Sequence, residues 1–225
     1  MRIECLRVWD IPYPGVDVKR TRSKQFQLVR IDGKLAFGKS DIAPEYVAHE
    51  SEILGRLDGV EGVPSLVFRT PRSIYMTFID GELLQAVIGE LTSRECVRVG
   101  YLMIRRMVSI HRKGIVHSDI RPWNFMYDRD RHLYLIDFEY AYDTKKTYTG
   151  RAALLLSRHH GRYLKLPLDD WRDTFICLAG LWKMSRHRII QNLSVFMHLL
   201  AFILRVYRAF GKRVGLIRPV SLAIE

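Results

Sequence analysis

Cysteine is scarce in this chain, which has only Cys5, Cys96 and Cys177 among its 225 residues. The count is odd, the three residues lie far apart, and no CxxC pair is present. Because a disulfide scaffold or a zinc ribbon needs paired or closely spaced cysteines, neither is predicted. Reduced thiols in a cytoplasmic protein are the simpler interpretation.

Long apolar runs are also lacking. The N-terminal residues carry charges and contain no apolar core, so no secretory signal is predicted. The longest apolar stretch, residues 195–204, is interrupted by His198 and is shorter than the about 20 residues that a membrane-spanning helix needs. We therefore expect a globular cytoplasmic protein, with peripheral attachment at the inner face of a membrane as the alternative.

Acidic residues are few relative to basic ones. The chain has 36 lysines and arginines against 24 aspartates and glutamates, which gives a formal net charge of +12 at pH 7. The hydrophobic content of 48% is ordinary for a globular protein and excludes a disordered chain. The excess charge favours an anionic partner: a nucleotide, a phosphorylated glycan, an acidic lipid headgroup or a nucleic acid.

The first third of the chain is typical of strands and turns. Residues 25–31 and 34–39 resemble two strands, and Asp32-Gly33 between them is a strong signal for a hairpin turn. Pro44 predicts the first turn of a helix that runs to about Leu57.

Two more short strands are predicted at residues 65–69 and 73–79. The pattern then becomes helical, which places a boundary after residue 80. We expect a strand-rich region of residues 1–80 and a mainly helical region of residues 81–225.

The helical region begins with a capping signal. Thr92 and Glu95 have the spacing of a capping box, and the helix that they open is predicted to run to about Lys113. Residues 125–127 and 133–136 flank a polar turn and predict a second hairpin.

One segment gathers a histidine, two aspartates and an asparagine at short spacing. It reads His117-Ser-Asp119-Ile-Arg121-Pro-Trp-Asn124, and Asp137-Phe-Glu139 follows, with Asp137 thirteen residues after Asn124. A loop carboxylate can orient a hydroxyl group and accept its proton. Carboxylate and amide oxygens are ligands that Mg²⁺ prefers.

This segment resembles the catalytic core of the protein-kinase-like superfamily, with its HxDxxxxN loop and its DFx strand end. The resemblance implies an α+β, two-lobed fold with a small antiparallel-sheet N-lobe and a trimmed, mainly helical C-lobe. It implies that Asp119 aligns and deprotonates the acceptor and that Arg121 stabilises charge on the transferred group. Asn124 and Asp137 are the implied metal ligands. His117 has an implied structural role under the loop.

Two upstream residues extend the resemblance. Lys39 ends a strand like the one that carries the lysine for the ATP phosphates, and Glu50 lies where the family's helix carries the partner of that lysine. Lys34 and Glu52 are the alternatives for these two roles.

Two further segments are similar to parts of the same family. Met76, Phe78 and Ile79 lie in a segment that looks like the hinge, whose backbone would bind adenine. Asp170 looks like the aspartate that supports the catalytic loop from a helix.

Several features depart from the family pattern. No GxGxxG loop precedes Lys39, and the basic segment from Lys19 to Lys24 lies in its place. We consider two interpretations of this segment, a phosphate-binding turn and a solvated basic loop. Ser118 replaces the arginine that is common before the loop aspartate, Glu139 replaces the glycine of DFG, and no APE motif follows.

The C-terminal segment predicts an amphipathic helix with two possible orientations. One side carries Gln191, Ser194, His198, Ala201, Arg205 and Arg208, and the other carries Leu193, Phe196, Leu200, Ile203, Leu204 and Tyr207. We prefer the interpretation that the apolar side completes the core of the second lobe. The alternative is peripheral membrane contact through residues 186–213.

The compact second lobe, with 55 residues after Asp170, together with Ser118 and the basic charge, resembles the lipopolysaccharide-core sugar kinases and the RIO and Bud32 kinases. The implied function is an ATP- and Mg²⁺-dependent phosphotransferase that moves the γ-phosphate to a hydroxyl of an anionic acceptor, a lipopolysaccharide or sugar or a protein Ser/Thr. The alternative is a pseudokinase, a nucleotide-binding interaction module without turnover. Only the charge supports a nucleic acid as partner.

Overall fold

The computed structural model describes residues 2–10, 25–149, 153–154, 156–157 and 164–213. The chain divides into two compact units. The first consists of Met1–Gly59 and Val63–Ile79, and the second of Val60–Gly62 and Asp80–Glu225.

The first unit contains a five-stranded antiparallel sheet, with strands in the order β1-β2-β3-β5-β4. Its strands are β1 Ile3–Asp10, β2 Gln25–Ile31, β3 Lys34–Ser40, β4 Leu66–Arg69 and β5 Ile74–Thr77. The four strands that the sequence predicts are confirmed, whereas β1 was not foreseen, because its side chains from Arg2 to Val8 are exposed and carry several charges.

The hairpin between β2 and β3 forms as the turn residues predict. Asp32 and Gly33 have φ angles of 45° and 85°, and glycine adopts such positive angles without steric strain. Under the sheet, Val29, Ile31, Ala36 and Tyr75 form a buried apolar cluster.

In the described part of the first unit, the helix α1 Pro44–Arg56 accompanies this sheet. Proline lies in its first turn, where the missing N–H removes no helical hydrogen bond. Its buried side chains include Ile53 and Leu54 but also Glu50, and a buried carboxylate needs a partner. That partner is described with the candidate site.

The second unit is mainly helical. Helices within its described residues include α2 Leu84–Val87, α3 Ser93–Arg112, α4 Pro167–Met184 and α5 Arg188–Arg213. Its strands are β6 Gly81–Leu83, β7 Ile115–Val116, β8 Phe125–Asp128, β9 Leu133–Leu135 and β10 Tyr142–Asp143. Strands β6, β8 and β9 form one antiparallel sheet, and β7 pairs with β10. This architecture agrees with the α+β class that the sequence predicts.

The central helix α3 begins and packs as its residues dictate. Thr92 and Glu95 form the predicted capping box, in which each side chain binds the backbone N–H of the other residue. Gly100 allows close contact with α4, since a Cβ atom there would lie only 2.8 Å from the ring of Trp182. The indole of Trp182 donates a 3.0 Å hydrogen bond to the carbonyl of Cys96 on α3.

The orientation of α5 contradicts our preferred prediction. The side that packs against α4 includes Ser194 and Ala201, both buried, and Arg208, which forms a 2.7 Å ion pair with Asp169. The predicted core residues Phe196 and Ile203 are instead exposed. The apolar side of this helix therefore faces away from the rest of the second unit, because small residues and an ion pair hold the opposite side against α4.

The same helix corrects the expectation that no segment is long enough to cross a membrane. The stretch Arg188–Ala209 within α5 is long and apolar enough to do so, judged by length and composition alone. The sequence-based estimate counted only residues 195–204, whereas the average over a longer window tolerates single polar residues such as Asn192 and His198.

Candidate active site

The loop that joins β7 to β8 brings Asp119 and Asn124 into direct contact. The side-chain amide of Asn124 donates hydrogen bonds to the backbone carbonyl of Asp119 at 2.8 Å and to its carboxylate at 3.1 Å. Both side chains are largely buried. Because the NH₂ group faces Asp119, the carbonyl oxygen Oδ1 of Asn124 is the atom that can bind a cation.

The β8–β9 hairpin places Asp137 next to this pair. The backbone N–H of Ile136 donates a 2.9 Å hydrogen bond to the carbonyl of Asn124, and Phe125 pairs with Leu135 in the strand register. Asp137 directly follows Ile136 and has a φ angle of 64°, a conformation uncommon outside glycine. The structure thus brings Asp119, Asn124 and Asp137 together at one end of the hairpin, and their oxygen donors suit a hard divalent cation.

Asp170 on α4 supports the loop of residues 117–124, as predicted. Its carboxylate accepts hydrogen bonds from the backbone N–H groups of His117 at 2.7 Å and of Ser118 at 2.8 Å. The ring of His111 lies 3.2 Å from the same carboxylate. Since Asp170 is fully buried, these contacts compensate the desolvation of its charge.

Ser118 has a strained backbone that is held from two sides. Its φ angle is 70°, in the left-handed region that side chains other than glycine rarely adopt. Its N–H binds Asp170, and its carbonyl accepts a 2.7 Å hydrogen bond from the ammonium of Lys165. The hydroxyl of Tyr142 in turn donates to the carbonyl of Lys165. Sequence analysis missed Lys165, because only a long-range contact links it to the loop.

His117 has the structural role that the resemblance implies. It is fully buried, its Nε2 lies 3.0 Å from the carbonyl of Ile136, and its Nδ1 lies 3.3 Å from the N–H of Asp119. These contacts fit a neutral ring that donates from Nε2 and accepts at Nδ1. Burial lowers the pKa of His117, while the nearby carboxylate of Asp170 opposes the shift. Its ring also packs edge-on against Phe138 at 4.7 Å.

Arg121 contacts the loop carboxylate directly. Its Nε lies 2.6 Å from Oδ1 of Asp119, and its guanidinium lies over the ring of Trp123 at 5.3 Å. The side chain is about half exposed. Arg121 therefore holds a positive charge at the carboxylate, in a position that solvent can reach.

In the first unit, Lys39 and Glu50 form the predicted ion pair. The ammonium of Lys39 at the end of β3 lies 2.7 Å from Oε1 of Glu50 on α1, and both residues are buried. The alternatives Lys34 and Glu52 are exposed. The structure thus distinguishes the preferred residues from their rivals by burial, while their role in nucleotide binding stays a prediction.

The predicted hinge residues lie in β5 and directly after it. Met76 is buried in β5, and Phe78 and Ile79 come directly after it and are half-buried. Their predicted contact with adenine stays a prediction. The basic segment from Lys19 to Lys24 lies outside the described residues.

Comparison with known proteins identifies the family. The model of the protein kinase domain matches residues 34–158, which is more than half of the chain, and the chain belongs to this family. The predicted superfamily and its fold class are confirmed, and the family is that of the predicted enzyme class, the kinases. The matched segment contains the whole set of predicted site residues, Lys39, Glu50, Met76, Phe78, Ile79, Asp119, Arg121, Asn124 and Asp137.

Individual relatives are kinases of different sizes. The chain is 29% identical over 109 residues to the cell division cycle 7-related protein kinase of Mus musculus, covering 46% of this chain and 19% of the relative. It is 29% identical over 125 residues to the serine/threonine-protein kinase PknH of Mycobacterium bovis, covering 52% of this chain and 21% of the relative.

A relative of similar size is the probable serine/threonine-protein kinase BUD32 homolog of Archaeoglobus fulgidus, which is 27% identical over 165 residues. This match covers 72% of the present chain and 76% of the relative. By contrast, the chain spans only about a fifth of the length of the mouse and mycobacterial relatives.

Proposed function

We propose that this protein transfers the γ-phosphate of ATP, with Mg²⁺, to a hydroxyl group of an anionic acceptor. The observation that supports this most directly is the hydrogen-bonded pair of Asp119 and Asn124 with Asp137 beside it. Phosphoryl transfer requires an aligned acceptor and a neutralised phosphate, and a carboxylate next to a set of oxygen donors supplies both.

In the proposed reaction, Asp119 accepts a hydrogen bond from the acceptor hydroxyl. The hydroxyl oxygen forms a bond to the γ-phosphorus as the bond to the bridging oxygen of ADP breaks, and the hydroxyl proton passes to the carboxylate of Asp119. Asn124 and Asp137 would hold the divalent ion, which supplies charge neutralisation for the phosphates. Asn124 also fixes the orientation of the Asp119 carboxylate through its side-chain amide.

Arg121 has two roles in this proposal. In the absence of phosphate, it pairs with Oδ1 of Asp119, the oxygen that is not bound by Asn124. A bound γ-phosphate offers the guanidinium a second anionic partner at the same place. Movement of Arg121 from the carboxylate to the phosphate would expose Oδ1 to the acceptor hydroxyl and stabilise the charge on the transferred group.

The chemistry of the acceptor follows from charge and from the relatives. The net charge of +12 favours an anionic acceptor. The mycobacterial and archaeal relatives are named as serine/threonine kinases, which supports a protein hydroxyl as acceptor. A sugar hydroxyl of an anionic glycolipid offers the same reacting group.

Transfer of labelled phosphate tests this proposal. Purified protein is incubated with γ-³²P-ATP and Mg²⁺ in the presence of fractionated protein, glycolipid or RNA, and the label is followed into each fraction. We expect label in protein or glycolipid with the wild type and none with Asp119→Asn or Asp137→Ala. Asp130→Asn, the same change at an exposed position of the β8–β9 turn, should retain activity.

A thermal-shift measurement with ATP and Mg²⁺ separates the alternatives. Stabilisation by nucleotide without phosphate transfer to any fraction would favour the pseudokinase and contradict the proposed turnover. Equal transfer by the wild type and by Asp119→Asn would contradict the role of the carboxylate. The missing GxGxxG loop is the sequence feature that keeps this alternative open.

A further inference from the structure

The outward side of α5 is an apolar surface. Within the described residues of this helix, eight large apolar side chains are between 51% and 67% exposed: Ile189, Val195, Phe196, Leu199, Phe202, Ile203, Val206 and Tyr207. At helical spacing these residues fall on one half of the helix circumference, which we call the outer face. Soluble monomers rarely expose a continuous apolar surface of this kind without a partner.

The inner side of α5 is already occupied. Ile190, Ser194 and Ala201 are buried against the second unit, and Arg208 pairs with Asp169 on α4. Only 17% of the most apolar part of the helix is buried. Since an amphipathic helix of a soluble protein normally buries its apolar side, this orientation indicates a second apolar environment for the outer face.

A basic groove runs along one edge of the outer face. It has a volume of about 590 Å³ and is lined by Arg172, Arg205 and Arg208, with His198 and Phe202 beside them. Phe202 belongs to both surfaces, which shows that the groove and the outer face are continuous.

The charges at this groove do not balance. Arg172 forms a 2.6 Å ion pair with Asp173, and Arg208 pairs with Asp169. Lys165 also contacts Asp173. Arg205 makes no ion pair within the described part of the chain. The three lining arginines therefore face two carboxylates, one of which Lys165 also contacts from outside the groove, and this leaves the groove positive.

We infer that α5 docks this protein on a lipid bilayer with anionic headgroups. The outer face lies among the acyl chains near the interface, and the basic groove faces the headgroup phosphates. This surface is separate from the proposed phosphotransfer residues, so the inference stands whether or not the chain turns over ATP.

Charge distinguishes this occupant from a second copy of the chain. Two molecules that each carry +12 repel one another, and joining two outer faces would bring two positive grooves close together. A bilayer with acidic headgroups instead supplies both an apolar layer and negative charge.

Contacts with α4 also favour an interfacial position over a spanning one. A spanning α5 would have to release the Arg208–Asp169 ion pair and carry Arg205 and Arg208 into the membrane. A helix lying at the interface keeps this ion pair and places only the outer face in the apolar layer.

Liposome flotation of the full chain tests the inference. Vesicles of phosphatidylcholine with about 30% phosphatidylglycerol are compared with vesicles of phosphatidylcholine alone, at low and high NaCl. We expect the wild type to float with the anionic vesicles, more weakly with the neutral ones, and less as the salt concentration rises.

Substitutions test whether the outer face and the basic groove are both responsible for vesicle binding. Phe196→Glu combined with Ile203→Glu should reduce partitioning about tenfold or more, because both changes place charge in the outer face. Arg205→Gln should reduce binding to anionic vesicles about fivefold. The matched control, Val8→Glu with Val67→Glu, makes the same change at exposed positions of the first unit and should float like the wild type.

Four results would overturn the inference. The first is that the wild type fails to float with anionic vesicles. The second is that the variant with Phe196→Glu and Ile203→Glu floats like the wild type. The third is that the control variant loses as much vesicle binding as the outer-face variant does. The fourth is displacement of bound protein by inorganic phosphate, because that result would assign the groove to a free anion.

Two further measurements test the occupants that we reject. A dimer in light scattering that Phe196→Glu with Ile203→Glu converts to a monomer would show a second copy on the outer face. Resistance of membrane-bound wild type to alkaline carbonate extraction would show a spanning helix. A monomer that carbonate releases from the membrane supports the interfacial position.

Discussion

The ammonium of Lys165 donates a 2.7 Å hydrogen bond to the backbone carbonyl of Ser118, the residue that directly precedes Asp119. Ser118 has a positive φ angle, and such a conformation persists only when its surroundings hold it. Asp170 binds the N–H of the same residue, so Lys165 and Asp170 together hold the peptide groups that orient Asp119. Lys165 is therefore a positioning residue for the proposed reaction.

Lys165→Met should lower kcat for phosphate transfer by about tenfold while the KM for ATP changes by less than about twofold. The reason is that the loop carboxylate loses its fixed orientation, whereas the residues expected to bind nucleotide are unchanged. Asp173 keeps its ion pair with Arg172 in this variant. Steady-state kinetics at several ATP concentrations measure both constants.

An exposed lysine supplies the control for this change. Lys183→Met, near the end of α4, should leave kcat and KM unchanged. Lys165→Arg should recover part of the lost activity, since it restores a donor and a charge. A parallel rise in KM and loss of kcat in Lys165→Met would contradict a role confined to positioning the loop.

The buried neutral ring of His117 predicts that stability falls in mild acid. Burial lowers the pKa of His117 from the ordinary value of 6.5, so below this pH the unfolded chain binds a proton that the folded chain excludes. The free energy of unfolding should therefore decrease as the pH falls below 6.5, by at most about 1.4 kcal/mol per pH unit from this residue. Urea unfolding between neutral pH and about pH 5 measures the slope, in a range above the ordinary titration of carboxylates.

Replacement of this histidine should flatten the pH dependence. His117→Gln is expected to be less stable at neutral pH, but its stability should change less between neutral and mildly acidic pH. An unchanged slope in His117→Gln would show that another group is responsible.

The Lys39–Glu50 pair should be strongly coupled because both charges are buried. Removal of either partner leaves the other charge without compensation, so Lys39→Met or Glu50→Gln alone should destabilise the protein by about 3–5 kcal/mol. The double variant should be more stable than the sum of the two effects predicts, with a coupling energy of at least about 2 kcal/mol. Urea unfolding of the wild type, the two single variants and the double variant gives this coupling energy.

An exposed ion pair in the same sheet provides a control for this double-mutant cycle. Arg30 and Glu4 lie 3.2 Å apart, and both are about half exposed. Their coupling energy should be below about 1 kcal/mol, because solvent screens exposed charges. If the coupling energy of Lys39 and Glu50 were as small as that of Arg30 and Glu4, this would contradict the conclusion that Lys39 and Glu50 form a buried ion pair.

Local sequence patterns correctly predicted those structural features that are determined by residues close together in the sequence. The Asp32-Gly33 turn, the capping box of Thr92 and Glu95, and the β8–β9 hairpin depend on neighbouring residues, and each forms as expected. Motif spacing likewise brought Asp119 and Asn124 into one loop.

Long-range contacts account for what the sequence could not predict. Lys165 lies 47 positions from Ser118, and no spacing rule connects them. The orientation of α5 was predicted wrongly because a helical pattern shows two sides but not which of them meets a neighbour. The choice depended on Arg208 meeting Asp169, a contact between two helices.

Thiol reactivity gives a further prediction. Burial raises the pKa of Cys177 to about 12 and also raises the pKa of Cys96, whereas Cys5 is exposed. The thiolate is the reactive form of cysteine. A disulfide reagent that releases a chromophore, used at about pH 8, should therefore modify one thiol rapidly in the native protein. After denaturation it should modify all three thiols.

Single substitutions identify the reactive thiol. Cys5→Ser should leave no rapidly reacting thiol, whereas Cys177→Ser should leave one. Stability should also fall as the pH rises above 9.0, since the unfolded chain then ionises thiols that the folded chain keeps protonated. Rapid modification of two or three thiols in the native wild type would contradict the burial of Cys96 and Cys177, and with it the packing of α3 and α4 around them.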